Sequence, residues 1–130
     1  MALVKVRLEA VRYLAAKAKY EDNDVCKKII RFVTYKRTGV GVNNLITNPY
    51  LRNGNSPYIL NKIADMLSKN VGDNWYKLVV CDEGINYISM KLQGNNAVSD
   101  ENILSCVTLT DEYLITFFKQ KEILLVNKNN

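Results

Sequence analysis

Histidine is absent from this chain of 130 residues. It is the side chain that most often exchanges protons near neutral pH, and it is the commonest zinc ligand. Its absence excludes Ser-His and Cys-His catalytic pairs and most kinds of zinc site. The chain therefore lacks the residue on which many hydrolases and zinc-binding domains depend.

Long apolar runs are also missing. The longest, such as residues 123–126, are far shorter than the roughly 20 residues that a membrane-spanning helix needs. Charged residues interrupt the first twelve positions, so these positions do not form the apolar core of a signal peptide. We expect a cytoplasmic protein with no membrane partner.

Cysteine is scarce and odd in number, with only Cys26, Cys81 and Cys106. Each adjoins a valine in an apolar stretch, which is typical of buried thiols in a reducing compartment. All three are predicted to be reduced and mostly buried. Because no histidine can activate Cys26 at its helix start, a core role is favoured over a nucleophilic one.

The rest of the composition is that of an ordinary globular protein, with 48% hydrophobic and 24% charged residues. A chain of this length can form one domain with its own core, so we predict a single domain over residues 1–130. A basic helical half, 1–70, is expected to precede a β-rich half, 73–127. The sixteen asparagines, with many lysines and isoleucines, suggest an AT-rich coding sequence such as some phages and viruses have.

Positive charge is concentrated at one end of the chain. The first 37 residues hold ten of the eighteen basic residues and only four acidic ones, a net charge of +6, whereas the remaining 93 residues sum to −1. Such an imbalance is typical of proteins with an anionic partner, most often nucleic acid.

Helical periodicity is clearest in the first half. Val4, Leu8, Val11, Ala15 and Ala18 form one stripe, which predicts a helix over residues 2–19 with a largely positive outer surface. A second helix, from about 24 to 35, has an apolar side, and the two form a helical hairpin. A third begins near the Ser-Pro pair at 56–57. The predicted core positions of these two helices are Cys26, Ile29, Ile30 and Val33, then Leu60, Ile63, Ala64 and Leu67.

The period changes to two after Gly72. Residues 75–81 and 85–92 are rich in β-forming side chains, and residues 82–84, Asp-Glu-Gly, match a hairpin turn with glycine in the left-handed conformation. The spacing of aromatic residues over 111–120 favours a helix capped near Thr108 or Thr110, although a strand is also consistent with it. Residues 122–127 are predicted to form a last strand. The predicted fold is therefore α+β: a helical hairpin and a third helix packed with a small C-terminal antiparallel sheet.

The basic helical hairpin and its following loop are the leading candidate site, because clustered lysine and arginine displace counterions from a phosphate backbone. The residues expected to bind nucleic acid are Arg12, Lys19, Lys27, Lys28, Arg31, Tyr35, Lys36 and Arg37. RNA is preferred over DNA because no recognition-helix motif for the DNA major groove is evident. The alternative is a solvated face whose charge only aids solubility.

A secondary contact face is expected on the predicted hairpin, where Trp75, Lys77, Tyr87 and Lys91 would share one side of the sheet. Aromatic rings between lysines can stack single-stranded bases. Ordinary packing on an exposed sheet face produces the same pattern and is favoured.

Few residues suggest catalysis. The adjacent pairs of acidic residues occur at helix caps and turns, where acidic side chains are favoured for structural reasons. We therefore expect a non-enzyme with no cofactor and no metal, a small accessory protein that binds nucleic acid. The alternative function is a protein interaction module, such as a phage or viral factor that binds an acidic surface of a host protein. A homodimer is compatible with either.

Overall fold

The computed structural model describes residues 2–34, 57–95 and 107–128, and 81% of these residues are helical. Among them there are six helices and no strand. The predicted α+β fold, with its β-rich half over 73–127, is therefore wrong for the described part of the chain, which is all-helical. The helices are α1 (Ala2–Tyr20), α2 (Asp24–Val33), α3 (Pro57–Asn70), α4 (Trp75–Leu78), α5 (Asp82–Leu92) and α6 (Asp111–Lys128).

Helix α1 is the centre of the arrangement, because it contacts α2, α3, α4 and α6. Residues 9–18 are all buried, so the helix has no solvent-facing side over this stretch. The predicted apolar stripe includes only some of these buried residues, and its first member, Val4, is 47% exposed. A helix enclosed on all sides buries its polar positions as well as its apolar ones.

Helices α2 and α3 follow the sequence pattern closely. The Asn23 side chain accepts a hydrogen bond from the Cys26 backbone N–H at 2.9 Å and caps α2. All eight core positions predicted for these two helices are buried. The prediction of these elements is confirmed, except that α2 ends at Val33, where it was expected to reach about residue 35.

The predicted hairpin is replaced by a helical corner. Residues 75–78 form the short helix α4, and α5 begins at Asp82, whose charge and that of Glu83 favour a helix N-terminus. Gly84 lies inside α5 and supplies no left-handed turn. A Cβ atom at Gly84 would lie 2.7 Å from the carbonyl carbon of Leu78. Glycine is required there because the two helices approach each other closely.

Helix α6 resolves the open choice over residues 111–120 in favour of a helix, and it continues through the predicted strand at 122–127, which is wrong. The Thr110 hydroxyl accepts a hydrogen bond from the Tyr113 backbone N–H at 3.2 Å, so the expected cap is present. The buried side chains of α6 recur at every fourth position: Leu114, Phe118, Glu122 and Val126.

Helices α1 and α6 lie side by side and run in the same direction. Near their starts, Tyr76 contacts both: its hydroxyl donates to Asp111 at 3.1 Å, and Arg7 lies 5.8 Å from its ring centroid. One to two turns further along, the rings of Tyr13 and Phe118 are 5.6 Å apart. A single cluster of buried apolar side chains joins this pair to the other four helices.

The cysteine prediction is confirmed for one residue and wrong for another. Cys26 is buried and free, whereas Cys81 is disulfide-bonded. Cys106 lies outside the described residues. The prediction that all three cysteines are reduced is therefore wrong.

The close approach at Gly84 leads to a testable expectation. In an ordinary helix, Gly→Ala stabilises by about 1 kcal/mol. Here the added methyl group meets the Leu78 backbone, so Gly84→Ala should lower the free energy of unfolding by about 1–3 kcal/mol in urea denaturation. Asn86→Ala, at an exposed position of the same helix, is the control and should change it by no more than about 0.5 kcal/mol. Stabilisation by Gly84→Ala would contradict the packing.

Candidate functional site

Part of the predicted basic surface of α1 is buried. Arg12 is only 6% exposed, and its Nη1 lies 3.2 Å from Oε1 of Glu9, which is equally buried. Lys17 is 7% exposed. These cations are neutralised inside the fold because α1 is enclosed by its neighbours. Arg12 therefore does not lie on an open helical face, where the sequence placed it.

Lys17 occupies a specific environment at the end of α1. Its Nζ lies 3.2 Å from Oε1 of Glu21 and 5.5 Å from the ring centroid of Tyr13. Burial alone would lower the pKa of Lys17, but attraction to Tyr13 and the hydrogen bond to Glu21 outweigh it, so the pKa is raised. Burial also raises the pKa of Tyr13. Lys17 therefore stays charged.

The other predicted cations have different surroundings. Lys19 is exposed, with its Nζ 5.0 Å from the ring centroid of Tyr20, and Lys27 pairs with Asp22. Lys28 and Arg31 are exposed, and neither forms an ion pair with a residue that the structure describes. The three remaining members of the predicted site, Tyr35, Lys36 and Arg37, lie outside the described residues.

Lys28 and Arg31 border an open groove between α2 and α5. It has a volume of about 340 Å³, and Ile29, Phe32 and Leu92 supply its apolar side chains. The groove combines an apolar surface with two positive charges that are unpaired among the described residues, so it suits a ligand that carries apolar and anionic groups side by side. We call it the α2–α5 groove.

The predicted secondary contact face is not assembled. Trp75 is fully buried and its indole N–H donates to the Ser68 hydroxyl at 3.0 Å, so its ring is not available for stacking. Lys77 lies against Tyr76. Only Tyr87 and Lys91 come together, one turn apart on α5, with the Lys91 Nζ 5.8 Å from the Tyr87 ring centroid. The sheet that would have aligned all four is absent from the described residues.

Helix α6 presents an aromatic surface that sequence reasoning missed. Tyr113 is 54% exposed and stacks on Phe117, with ring centroids 6.3 Å apart and an interplanar angle of 23°. The Nζ of Lys121 lies 5.5 Å from the Phe117 ring centroid, and Tyr13 meets the same ring edge-on at 6.1 Å. We call Tyr113, Phe117 and Lys121, with Tyr13 and Lys17 behind them, the aromatic–lysine surface.

This surface opens into a cleft of about 530 Å³ between the C-terminal halves of α1 and α6, where Lys128 adds another cation. The signal for it was present in the sequence, because residues 113, 117 and 121 are spaced by four and share one face of a helix. The sequence analysis used the aromatic spacing only to choose between a helix and a strand, and the buried Leu114 and Phe118 lie next to the exposed ring in the chain.

The thiol of Cys26 is not prepared for catalysis. Burial raises the pKa of Cys26 to about 12, and only the thiolate is a nucleophile. Burial and the hydrogen bond to Asp111 raise the pKa of Tyr76 to about 12 as well. Within the described residues, no three acidic or cysteine side chains are grouped closely enough to hold a metal ion.

None of the helices in residues 2–34, 57–95 and 107–128 has the length and hydropathy of a membrane span. No family model, curated protein or solved structure matches this chain. Its function is therefore inferred from the geometry of its own surfaces.

The raised pKa values lead to a pH prediction. Above the ordinary cysteine pKa of 9.0, the unfolded chain loses the Cys26 proton while the folded chain keeps it, so stability must fall as pH rises towards 12. In urea denaturation the free energy of unfolding of the wild type should fall between about pH 8 and 10.5. Cys26 accounts for at most about 4 kcal/mol of the fall over the whole span from pH 9 to pH 12. Cys26→Ala should show a shallower decline. Parallel curves for the two proteins would contradict the assignment.

Proposed function

We propose that this protein is a non-enzymatic accessory protein that binds single-stranded nucleic acid, RNA in the first instance, on its aromatic–lysine surface. The observation that carries the proposal is the exposed Tyr113 ring, stacked on Phe117 with Lys121 beside it. Aromatic rings at a protein surface stack unpaired bases, and neighbouring lysines bind the phosphates between them.

The dimensions of α6 suit a short stretch of single strand. Residues 113 to 128 span about 22 Å along a helix that rises 1.5 Å per residue. Tyr113 stands near one end of this length, Lys121 near its middle and Lys128 at the other end. A flexible strand can follow such a line, whereas a duplex keeps its bases stacked inside and away from Tyr113.

The free cations of α2 support the same proposal at longer range. Lys28 and Arg31 are exposed and unpaired among the described residues, and the chain as a whole carries +5. A positive surface raises the local concentration of a polyanion and its rate of association. RNA is placed ahead of DNA because the exposed ring suits unpaired bases, which occur mainly in RNA loops and ends.

Direct binding tests the proposal. Fluorescence anisotropy with labelled oligouridine at about 50 mM salt should show saturable binding that weakens log-linearly with salt. Tyr113→Ala should weaken binding by roughly five- to a hundredfold, because base stacking contributes about 1–3 kcal/mol per base, whereas Tyr113→Phe should retain most of it. Lys121→Ala should weaken binding and reduce the salt slope by about 0.7.

Lys69→Ala, an exposed lysine at the end of α3, is the matched control for charge. It should leave the affinity nearly unchanged. If Lys69→Ala weakened binding as much as Lys121→Ala, the attraction would be diffuse and no specific surface would exist. Absence of measurable affinity for single-stranded RNA and DNA would overturn the proposal.

The α2–α5 groove favours a second candidate function, binding of an acidic amphipathic segment of a partner protein. Apolar side chains of such a segment would cover Ile29, Phe32 and Leu92, while its carboxylates would pair with Lys28 and Arg31. Reversing both cations to Glu should abolish binding of a labelled acidic amphipathic peptide and should weaken oligouridine binding on α6 only through the loss of long-range attraction. Exposed charges contribute only about 0–1 kcal/mol each to folding, so the variant should remain stable.

A further inference from the structure

A small positive pocket lies between α1 and α6, on the side away from the aromatic–lysine surface. Its volume is about 260 Å³, and Lys5, Leu8, Glu9 and Arg12 of α1 line it together with Lys119 of α6. Successive residues of a helix are turned by about 100°, so Lys119 and Phe117 project to opposite sides of α6. The pocket is therefore separate from the proposed nucleic-acid surface.

Arg12 is the most informative group in this pocket. It is 94% buried, as its side chain is only 6% exposed, yet its contact with Glu9 engages a single terminal nitrogen, Nη1. The Nε of Arg12 is buried with no hydrogen-bond partner among the described residues. A guanidinium has five N–H donors in a planar fork, and a buried donor that lacks an acceptor is unfavourable. Arg12 thus has donor capacity that the described fold does not use.

The charges around Arg12 favour an anion. Lys5 and Lys119 are exposed, and neither forms an ion pair with a described residue. Three cations and the Glu9 carboxylate give the lining a formal charge of +2. A volume of about 260 Å³ has room for a compact group. A doubly charged tetrahedral oxyanion fits within this volume and matches the formal charge of the lining.

We infer that this pocket is a phosphate site that binds inorganic phosphate or the terminal phosphate of a larger molecule. Arg12 would donate to the phosphate oxygens from the wall of the pocket, and the exposed Lys5 and Lys119 would neutralise the charge of the phosphate. Glu9 holds Arg12 by accepting from Nη1, and it also disfavours any ligand whose negative charge approaches its own carboxylate. This assignment is independent of the proposed binding of single strands to α6.

Isothermal titration of the whole protein tests the inference, with sodium phosphate as the probe at constant ionic strength. The wild type should bind one phosphate saturably. Lys119→Ala should weaken binding by about tenfold or more, because a charge-assisted contact of this kind is lost. Lys5→Ala together with Lys119→Ala should abolish it. Lys69→Ala is the matched control and should bind as the wild type does.

Arg12 itself is unsuited to the first test, because its removal leaves Glu9 buried beside an empty position and can unfold the protein. Lys5 and Lys119 are exposed, so replacing them leaves no buried charge without its partner. Absence of saturable phosphate binding by the wild type would overturn the inference, as would equal losses in Lys119→Ala and Lys69→Ala. Tyr113→Ala should leave phosphate binding unchanged, so failure here is distinguishable from failure of the nucleic-acid proposal.

Titration of Tyr113→Ala, which lacks the ring proposed to stack bases, with uridine 5′-monophosphate and with uridine identifies the source of the phosphate. Equal affinities for the monophosphate and for inorganic phosphate would assign the pocket to the phosphate group alone. Tighter binding of the monophosphate would show that a larger molecule presents the group. Binding of uridine as tight as that of its monophosphate would contradict the inference, because the positive lining would then have no role.

Discussion

The enclosure of α1 is the constraint on which the described structure depends. Its residues 9–18 are buried, and α2, α3, α4 and α6 all pack against it. A helix in this position must neutralise any charge it carries, since an uncompensated buried charge costs several kcal/mol. The Glu9–Arg12 pair and the contacts of Lys17 with Glu21 and Tyr13 meet this requirement. Basic residues that were expected to form an external face therefore became internal structure.

This burial also decides where function can reside. Arg12 and Lys17 are withdrawn from the surface. The exposed lysines near α1 therefore lie at the borders of its contact with α6. Those beside α6 divide into two sets: Lys121 and Lys128 accompany the exposed aromatic rings, while Lys5 and Lys119 surround the small pocket at Arg12. One helix pair thereby creates two surfaces of different chemistry, one extended and aromatic, the other compact and highly charged.

The corner between α4 and α5 shows how packing overrides local preference. Residues 75–92 are rich in β-branched and aromatic side chains, and their alternation favours a strand when considered alone. The buried side chains of α5 include Ile85, Ile88 and Leu92, which follow helical spacing, while Trp75 is removed entirely from solvent. The absence of a side chain at Gly84 permits the close contact with Leu78. A glycine typical of a tight turn is explained equally well by close helix packing, and its local sequence does not distinguish the two.

The sequence by itself determined those helices that have one buried face and one face exposed to solvent. Helices α2 and α3 are of this kind, so their core positions were predictable, as was the cap of α6 at Thr110. Only the tertiary structure decided the burial of Arg12, the helical state of residues 75–78 and 82–92, and the exposure of Tyr113 beside the buried Leu114. Periodicity reports burial through a contrast between faces. That contrast disappears in a central helix such as α1, and neighbours distant in the chain then determine which side chains reach solvent.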